Sequence, residues 1–134
     1  TLQAAIAAVH SEAPSTGETD WAQVVALYDL LMQAERWRSL SERGSPIVEL
    51  NRAVAVAMRD GFLVGLQQID NILARGDLAD YHLAHAARAD FCRRLGRVDD
   101  ARTAYQQALT LVKQEPERRF LQKRLRELDD RVNN

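Results

Sequence analysis

Apolar residues recur along most of this chain at three- and four-residue intervals, the spacing that lines one face of an α-helix. Leu2, Ile6 and Val9 open the pattern and predict a short helix, or the tail of a longer one, over 2–12. Ala-Pro-Ser-Thr-Gly-Glu-Thr at 13–19 interrupts it as the clearest loop. Asp20 then stands as an N-cap with Gln23 three positions on, the arrangement of a capping box. The stripe Trp21, Val24, Val25, Tyr28, Leu31 and Met32 predicts a helix from Trp21 to about Ala34. Residues 35–44 are polar and mixed, and are expected to be a break. Ser45-Pro46 restarts the pattern, because Ser caps and Pro is tolerated in the first helical turn. Helices are predicted from Pro46 to about Arg59, ending at Gly61, and from Phe62 to Ala74, ending at Gly76. Two more run from Leu78 to Leu95, ending at Gly96, and from Val98 to about Lys113. After Glu115-Pro116, a charged helix covers about Glu117 to Arg131. No segment alternates as a strand would, so the fold class is all-α.

The helices repeat in pairs. Gly61 and Gly96 each fall between two predicted helices, 35 residues apart, close to the ~34-residue period of tetratricopeptide repeats. Ala89, Gly96, Ala101, Tyr105 and Ala108 have the small–small–small–aromatic–small spacing of that repeat. Small residues let partner helices approach, and the ring fills the gap that remains. The preceding unit is looser: Ala53, Ala55 and Gly65 supply small positions, but Asp70 stands near the place of the aromatic. The segment Trp21–Met32 would belong to a still earlier pair, and the last helix would cap the array. The expected architecture is a single domain over 1–134. About six to seven helices would form antiparallel pairs, stacked as a tetratricopeptide-like right-handed superhelix. An irregular bundle with coincidental spacing is the other arrangement these spacings allow.

Composition agrees. The 134 residues are 46% hydrophobic and 28% charged, enough for one continuous core. At 6% aromatic the chain is poorly suited to a β-sandwich. The longest apolar run, Ala53 to Met58, is far short of the ~20 residues a membrane-spanning helix needs. No succession of residues resembles a secretory signal. The one cysteine, Cys92, rules out an internal disulfide and suits a reducing cytoplasm, the expected location. A chain that begins at Thr1, already inside a helical pattern, reads as a piece of a longer protein. Residues 1–87 carry six Arg against eleven Asp/Glu, a net −5; residues 88–134 carry twelve Lys/Arg against eight Asp/Glu, a net +4. This asymmetry suggests a surface that docks on something charged, or helix faces laced with i,i+4 pairs.

Catalytic patterns are not found. There is no glycine-rich phosphate loop. Cys92 lies mid-helix beside Phe91, as a small buried hydrophobe would. His82 and His85, with Asp80 nearby, lack a third and fourth metal ligand at defined spacing. Ser15 and Thr16 have no His–Asp partner in view. The chain is therefore expected not to be an enzyme and to need neither cofactor nor metal. Arginines are prominent on two helices: Arg88, Arg93, Arg94 and Arg97, then Arg118, Arg119, Arg124 and Arg126 with Lys123. Guanidinium suits bidentate recognition of carboxylate or phosphate, but no aromatic stacking platform accompanies it for nucleic acid. In a tetratricopeptide array the first helix of each pair lines a groove. That register turns Val48, Asn51 and Ala55 toward it from one unit, and Leu83, Ala86, Asp90, Arg93 and Arg94 from the next. The candidate partner-binding residues are Asn51, Arg52, Asp90, Arg93 and Arg94, suited to an acidic or extended peptide.

Several segments carry a resemblance. Leu2 to His10, Thr19-Asp20-Trp21 with Leu27-Tyr28-Asp29, Ser45-Pro46-Ile47-Val48, and Leu50-Asn51-Arg52-Ala53-Val54-Ala55-Val56-Ala57 are four of them. His85-Ala86-Ala87-Arg88-Ala89-Asp90 and Glu117-Arg118-Arg119-Phe120-Leu121 complete the set. Together they resemble the tetratricopeptide-like C-terminal extension of extracytoplasmic-function (ECF) RNA polymerase sigma factors, over nearly all of the chain. The stretch from Gln33 to Gly44 departs from it, being longer and more polar. The resemblance implies a parent whose promoter-binding regions 2 and 4 are absent here. This domain would modulate transcription initiation through protein partners: the parent's own sigma regions, RNA polymerase or a regulator. DNA would be met only through the missing regions, and no membrane would be involved. The alternatives are a generic tetratricopeptide scaffold that binds an unrelated protein or peptide, and, within the sigma reading, a small-molecule sensor in the groove.

Overall fold

The computed structural model describes residues 20–39 and 45–133, with side chains described except at 35–39 and 132–133. The helix expected over 2–12 and the loop at 13–19 lie outside the described residues. Six helices are present among them, and no strand: α1 (Trp21–Ser39), α2 (Pro46–Asp60), α3 (Phe62–Ala74), α4 (His82–Arg94), α5 (Val98–Leu111) and α6 (Glu115–Asn133). Neighbouring helices pack in pairs, α1 on α2, α4 on α5 and α5 on α6, so the chain has an all-α, helical-repeat type of architecture. It divides into two compact units, Thr1–Gln68 and Ile69–Asn134, with the boundary inside α3.

In the first unit, Asp20 Oδ1 accepts the Gln23 backbone N–H at 3.1 Å, which satisfies one of the orphan donors at the start of α1. The helix runs five residues beyond Ala34. Glu35, Arg36 and Arg38 are good helix formers, and no Gly or Pro intervenes before Gly44. α2 opens with Pro46 in its first turn. Ser45 stands at the N-cap position but makes no side-chain cap bond, so the fixed φ of proline starts this helix. Val24, Val25 and Leu31 of α1 join Val48, Ala55 and Val56 of α2 in one apolar cluster, edged by Trp21, Leu27, Tyr28 and Met32. Each full burial of a Val or Leu is worth about 1.5–3 kcal/mol. On the outside, Arg52 donates to Asp29 and ties the two helices together.

In the second unit the helix expected from Leu78 begins only at His82. Residues 75–80 form turns, and the bonds Gly76 N–H to Leu73 C=O (2.9 Å) and Tyr81 N–H to Leu78 C=O (3.0 Å) tighten the chain. Gly76 takes a left-handed φ of +82° that ends α3. Leu78 is buried, so its apolar character mimics a helical position although it anchors a turn. α4 and α5 make the most extensive helix pair. Ala84, Ala89 and Cys92 on one and Ala101, Ala104 and Ala108 on the other are all buried, with the Tyr105 ring among them. α4 ends in a Schellman motif: the Arg97 N–H bonds to Cys92 C=O at 2.8 Å and the Gly96 N–H to Arg93 C=O at 3.1 Å. That closure requires φ = +77° at Gly96. α6 is held to α5 by Arg102, whose Nε donates to Asp129 Oδ1 at 3.0 Å, and by the buried Leu121 and Leu128. At the front edge of the unit, Arg88 Nε donates to Asp70 at 2.7 Å, so the residue at the missing aromatic position makes an α3–α4 ion pair.

A Cβ at residue 96 would meet no atom within 4 Å, so Gly96→Ala isolates backbone strain. Urea unfolding should show a loss of about 1 kcal/mol, the left-handed penalty less the gain in unfolded-chain entropy. By contrast, Ala108→Leu, at 0% exposure, should cost about 1–3 kcal/mol by overpacking. Burial pushes the Cys92 thiol and the Tyr28 and Tyr105 phenols above their ordinary values near 9 and 10. Groups raised in the folded state add stability that is intact below those values and lost as pH rises through the shifted ones. Stability measured against pH should therefore fall from about pH 9 upward, and Cys92→Ala should flatten the first part of that decline.

Candidate partner-binding site

The N-terminal ends of α4 and α6 enclose an open cleft of about 280 Å³, lined by His82, Leu83, Ala86, Pro116, Glu117, Phe120 and Leu121. Local sequence explains the lining. Leu83 and Ala86 are three apart on α4 and share a face. Pro116 occupies the first turn of α6, and Phe120 follows one turn later on the same side. Leu121 turns inward and is buried; Phe120, its neighbour, is left 55% exposed, opposite a Leu83 that is 46% exposed. Two large apolar side chains around a concave space form a ready contact surface. At the rim, His82 Nε2 lies 3.0 Å from Glu117 Oε2, a distance for an ion pair when the ring is protonated, without the alignment of a hydrogen bond. Beyond Phe120, the Arg124 guanidinium stacks on the ring at 5.2 Å and bonds Glu127 at 3.2 Å.

Leu83 and Ala86, expected to face a groove, do line this cleft. Farther along α4, Asp90, Arg93 and Arg94 come together. Arg93 Nη2 bonds Asp90 Oδ1 at 2.6 Å and Arg94 Nε bonds Asp90 Oδ2 at 2.9 Å, so one carboxylate serves two guanidiniums. The two arginines, adjacent in sequence, have different roles. Arg93 is only 19% exposed, buries its Nε and also bonds the Tyr105 hydroxyl; Arg94 is 45% exposed. Burial works against the Arg93 charge, but the bonds to Asp90 and Tyr105 outweigh it and hold its pKa up. Arg93 is therefore a strut between α4 and α5, and Arg94 is the member that faces solvent. In the first unit, Asn51 is exposed and Arg52 pairs with Asp29.

Phe120, Pro116 and Glu117 were not singled out as binding residues from sequence. The signal was Phe120 itself, a lone aromatic in a helix that otherwise reads as charged. His82 and His85 diverge: the first meets Glu117, and His85 Nε2 meets the Ala79 carbonyl oxygen at 2.8 Å. Among the described residues no group of three or more His, Cys, Asp or Glu is placed to hold a metal ion, and no helix is long and apolar enough to cross a membrane. Cys92 is fully buried, and burial keeps its thiol protonated.

A protein of Rhizobium meliloti (strain 1021), described as uncharacterized, is 35% identical over 124 residues, which cover 92% of this chain and 27% of the relative. The chain thus spans about a quarter of the length of the curated relative it matches. No family model matches the chain. No solved structure matches it.

The two arginines should separate on mutation. Arg93→Ala removes bonds to a charged partner in a part-buried setting and should cost about 1.5–3 kcal/mol in chemical denaturation. Arg94→Ala loses a surface i,i+4 pair and should change stability by less than about 0.5 kcal/mol.

Proposed function

We propose that this chain is the regulatory protein-interaction domain of an extracytoplasmic-function RNA polymerase sigma factor, acting in the cytoplasm. It modulates transcription initiation through contacts with the parent's own sigma regions, with RNA polymerase or with a regulator protein. The observation that carries the binding part is the apolar cleft between α4 and α6, with Leu83 and Phe120 exposed at its mouth. The sigma part rests on the resemblance of the segments at 45–57, 85–90 and 117–121. In the structure these segments are helical and contribute both core, such as Val48, Leu50 and Ala89, and cleft, such as Ala86 and Phe120. The similar stretch of the Rhizobium relative is a minor share of a longer chain, which suits an accessory domain. The role is binding, not catalysis, and it requires no cofactor.

Promoter-directed transcription in vitro by the parent protein, with and without residues 1–134, tests this. A change in transcript yield in either direction supports a regulatory domain and gives the sign of regulation. Unchanged yield, or a parent with no sigma activity, would replace it with a tetratricopeptide-type scaffold for an unrelated protein.

A further inference from the structure

Glu117 is the acidic residue of the cleft lining, and beyond it the α6 border is mainly cationic. Arg119, Lys123 and Arg126 are exposed on α6 at positions i, i+4 and i+7, which places them along one ridge beside Phe120. Arg119 is 72% exposed, and its ion pair with Glu115 is long, 3.6 Å, and shared with Arg118. Arg124, on the other side of that ring, is neutralised by a surface i,i+3 pair with Glu127, the kind worth less than about 1 kcal/mol and readily exchanged for another carboxylate. At the far end of the same α4 face two arginines share the one carboxylate of Asp90. The cleft floor is apolar, and around it cations outnumber anions. The segment from residue 88 onward has the same excess, twelve Lys/Arg against eight Asp/Glu.

The complement of such a surface is a helix with a large apolar side chain on one face and carboxylates beside it. From the geometry we infer that the α4–α6 cleft receives an acidic amphipathic helix of a partner protein. Its apolar anchor would enter between Leu83 and Phe120, and its Asp or Glu side chains would lie along Arg119, Lys123 and Arg126. Lys123 and Arg126 lie three and six residues beyond Phe120, about 4.5 and 9 Å along the axis at 1.5 Å per residue, and Arg119 precedes it by one. On a helix laid alongside, that reach matches carboxylates three and six residues from the anchor. Helix-in-groove binding of this kind draws affinity from the anchor, and orientation and on-rate from the charges. The inference rests on the binding part of the proposed function and gives its partner a chemistry.

The test uses the full chain, residues 1–134, and a defined probe: a fluorescently labelled helical peptide of about 15 residues. It carries leucines on one face and glutamates on the flanks; a matched peptide has lysines in place of the glutamates. Fluorescence anisotropy should show saturable binding of the acidic probe, weakening as salt rises because the charges are exposed. The lysine peptide should bind at least about tenfold more weakly, the size of effect expected from like-charge juxtaposition. Phe120→Glu sits at an exposed position and should leave the helical circular dichroism unchanged while weakening the acidic probe about tenfold or more. Lys123→Glu should weaken it less, and the difference should shrink at high salt. Equal binding of the two peptides, an unaffected Phe120→Glu variant, or tighter binding to a DNA duplex than to the acidic probe would each overturn the inference. These outcomes are separate from the transcription assay. Probe binding with unchanged transcription would remove the sigma role and keep the cleft's specificity; altered transcription with no probe binding would do the reverse.

Discussion

The close approach of α4 and α5 is the constraint on which the second unit depends. Six small side chains on the two helices, five alanines and Cys92, are buried and let the helices come near, and the Tyr105 ring fills space between them. A phenol in that position needs a partner for its hydroxyl, and Arg93 supplies it. A guanidinium drawn inward by that bond needs a carboxylate, and Asp90 supplies that. The polar chain from Tyr105 through Arg93 to Asp90 is thus a consequence of the packing. It opens to solvent outward from Arg93, through Asp90 at 33% exposure to Arg94 at 45%.

Which parts of this were legible in the sequence depends on how local the cause is. α2 and α3 could be bounded within a residue or so because Pro46, Gly61 and Gly76 act through their own backbone torsions. The end of α1 was missed because polarity was taken as a break, whereas Glu and Arg are good helix formers. The start of α4 was missed because Leu78 is buried in a turn, and burial alone does not distinguish a turn from a helix. Repeat register turned Leu83 and Ala86 toward a groove, and both line the cleft. It could not separate Arg93 from Arg94, since the difference lies in which one meets Tyr105. The cleft's other wall was out of reach, because Leu83 and Phe120 are brought together by the fold and not by any spacing.

The two units also differ in how their polar residues are used. In the first, Arg52 and Asp29 clasp the outside of an aliphatic cluster, so charge is added to a core that is already complete. In the second, Asp70 stands near the place where a repeat of this type would put an aromatic, and its ion pair with Arg88 links α3 to α4. The side chains of Arg88 and Asp70 are 25% and 44% exposed, so water solvates whichever partner is left alone and the pair contributes about 1 kcal/mol or less.

One wall of the cleft is the first two turns of α6, and α6 packs mainly on α5 through Leu121, Leu128 and the Arg102–Asp129 bond. A helix with one principal neighbour detaches more readily than one packed on several. When it does, Pro116, Glu117, Phe120 and Leu121 leave together, and the concave surface ceases to exist. Occupancy of the cleft and docking of the last helix are then one equilibrium seen from two sides. Anything that loosens α6 lowers the concentration of competent protein, and anything that fills the cleft fastens that helix in place.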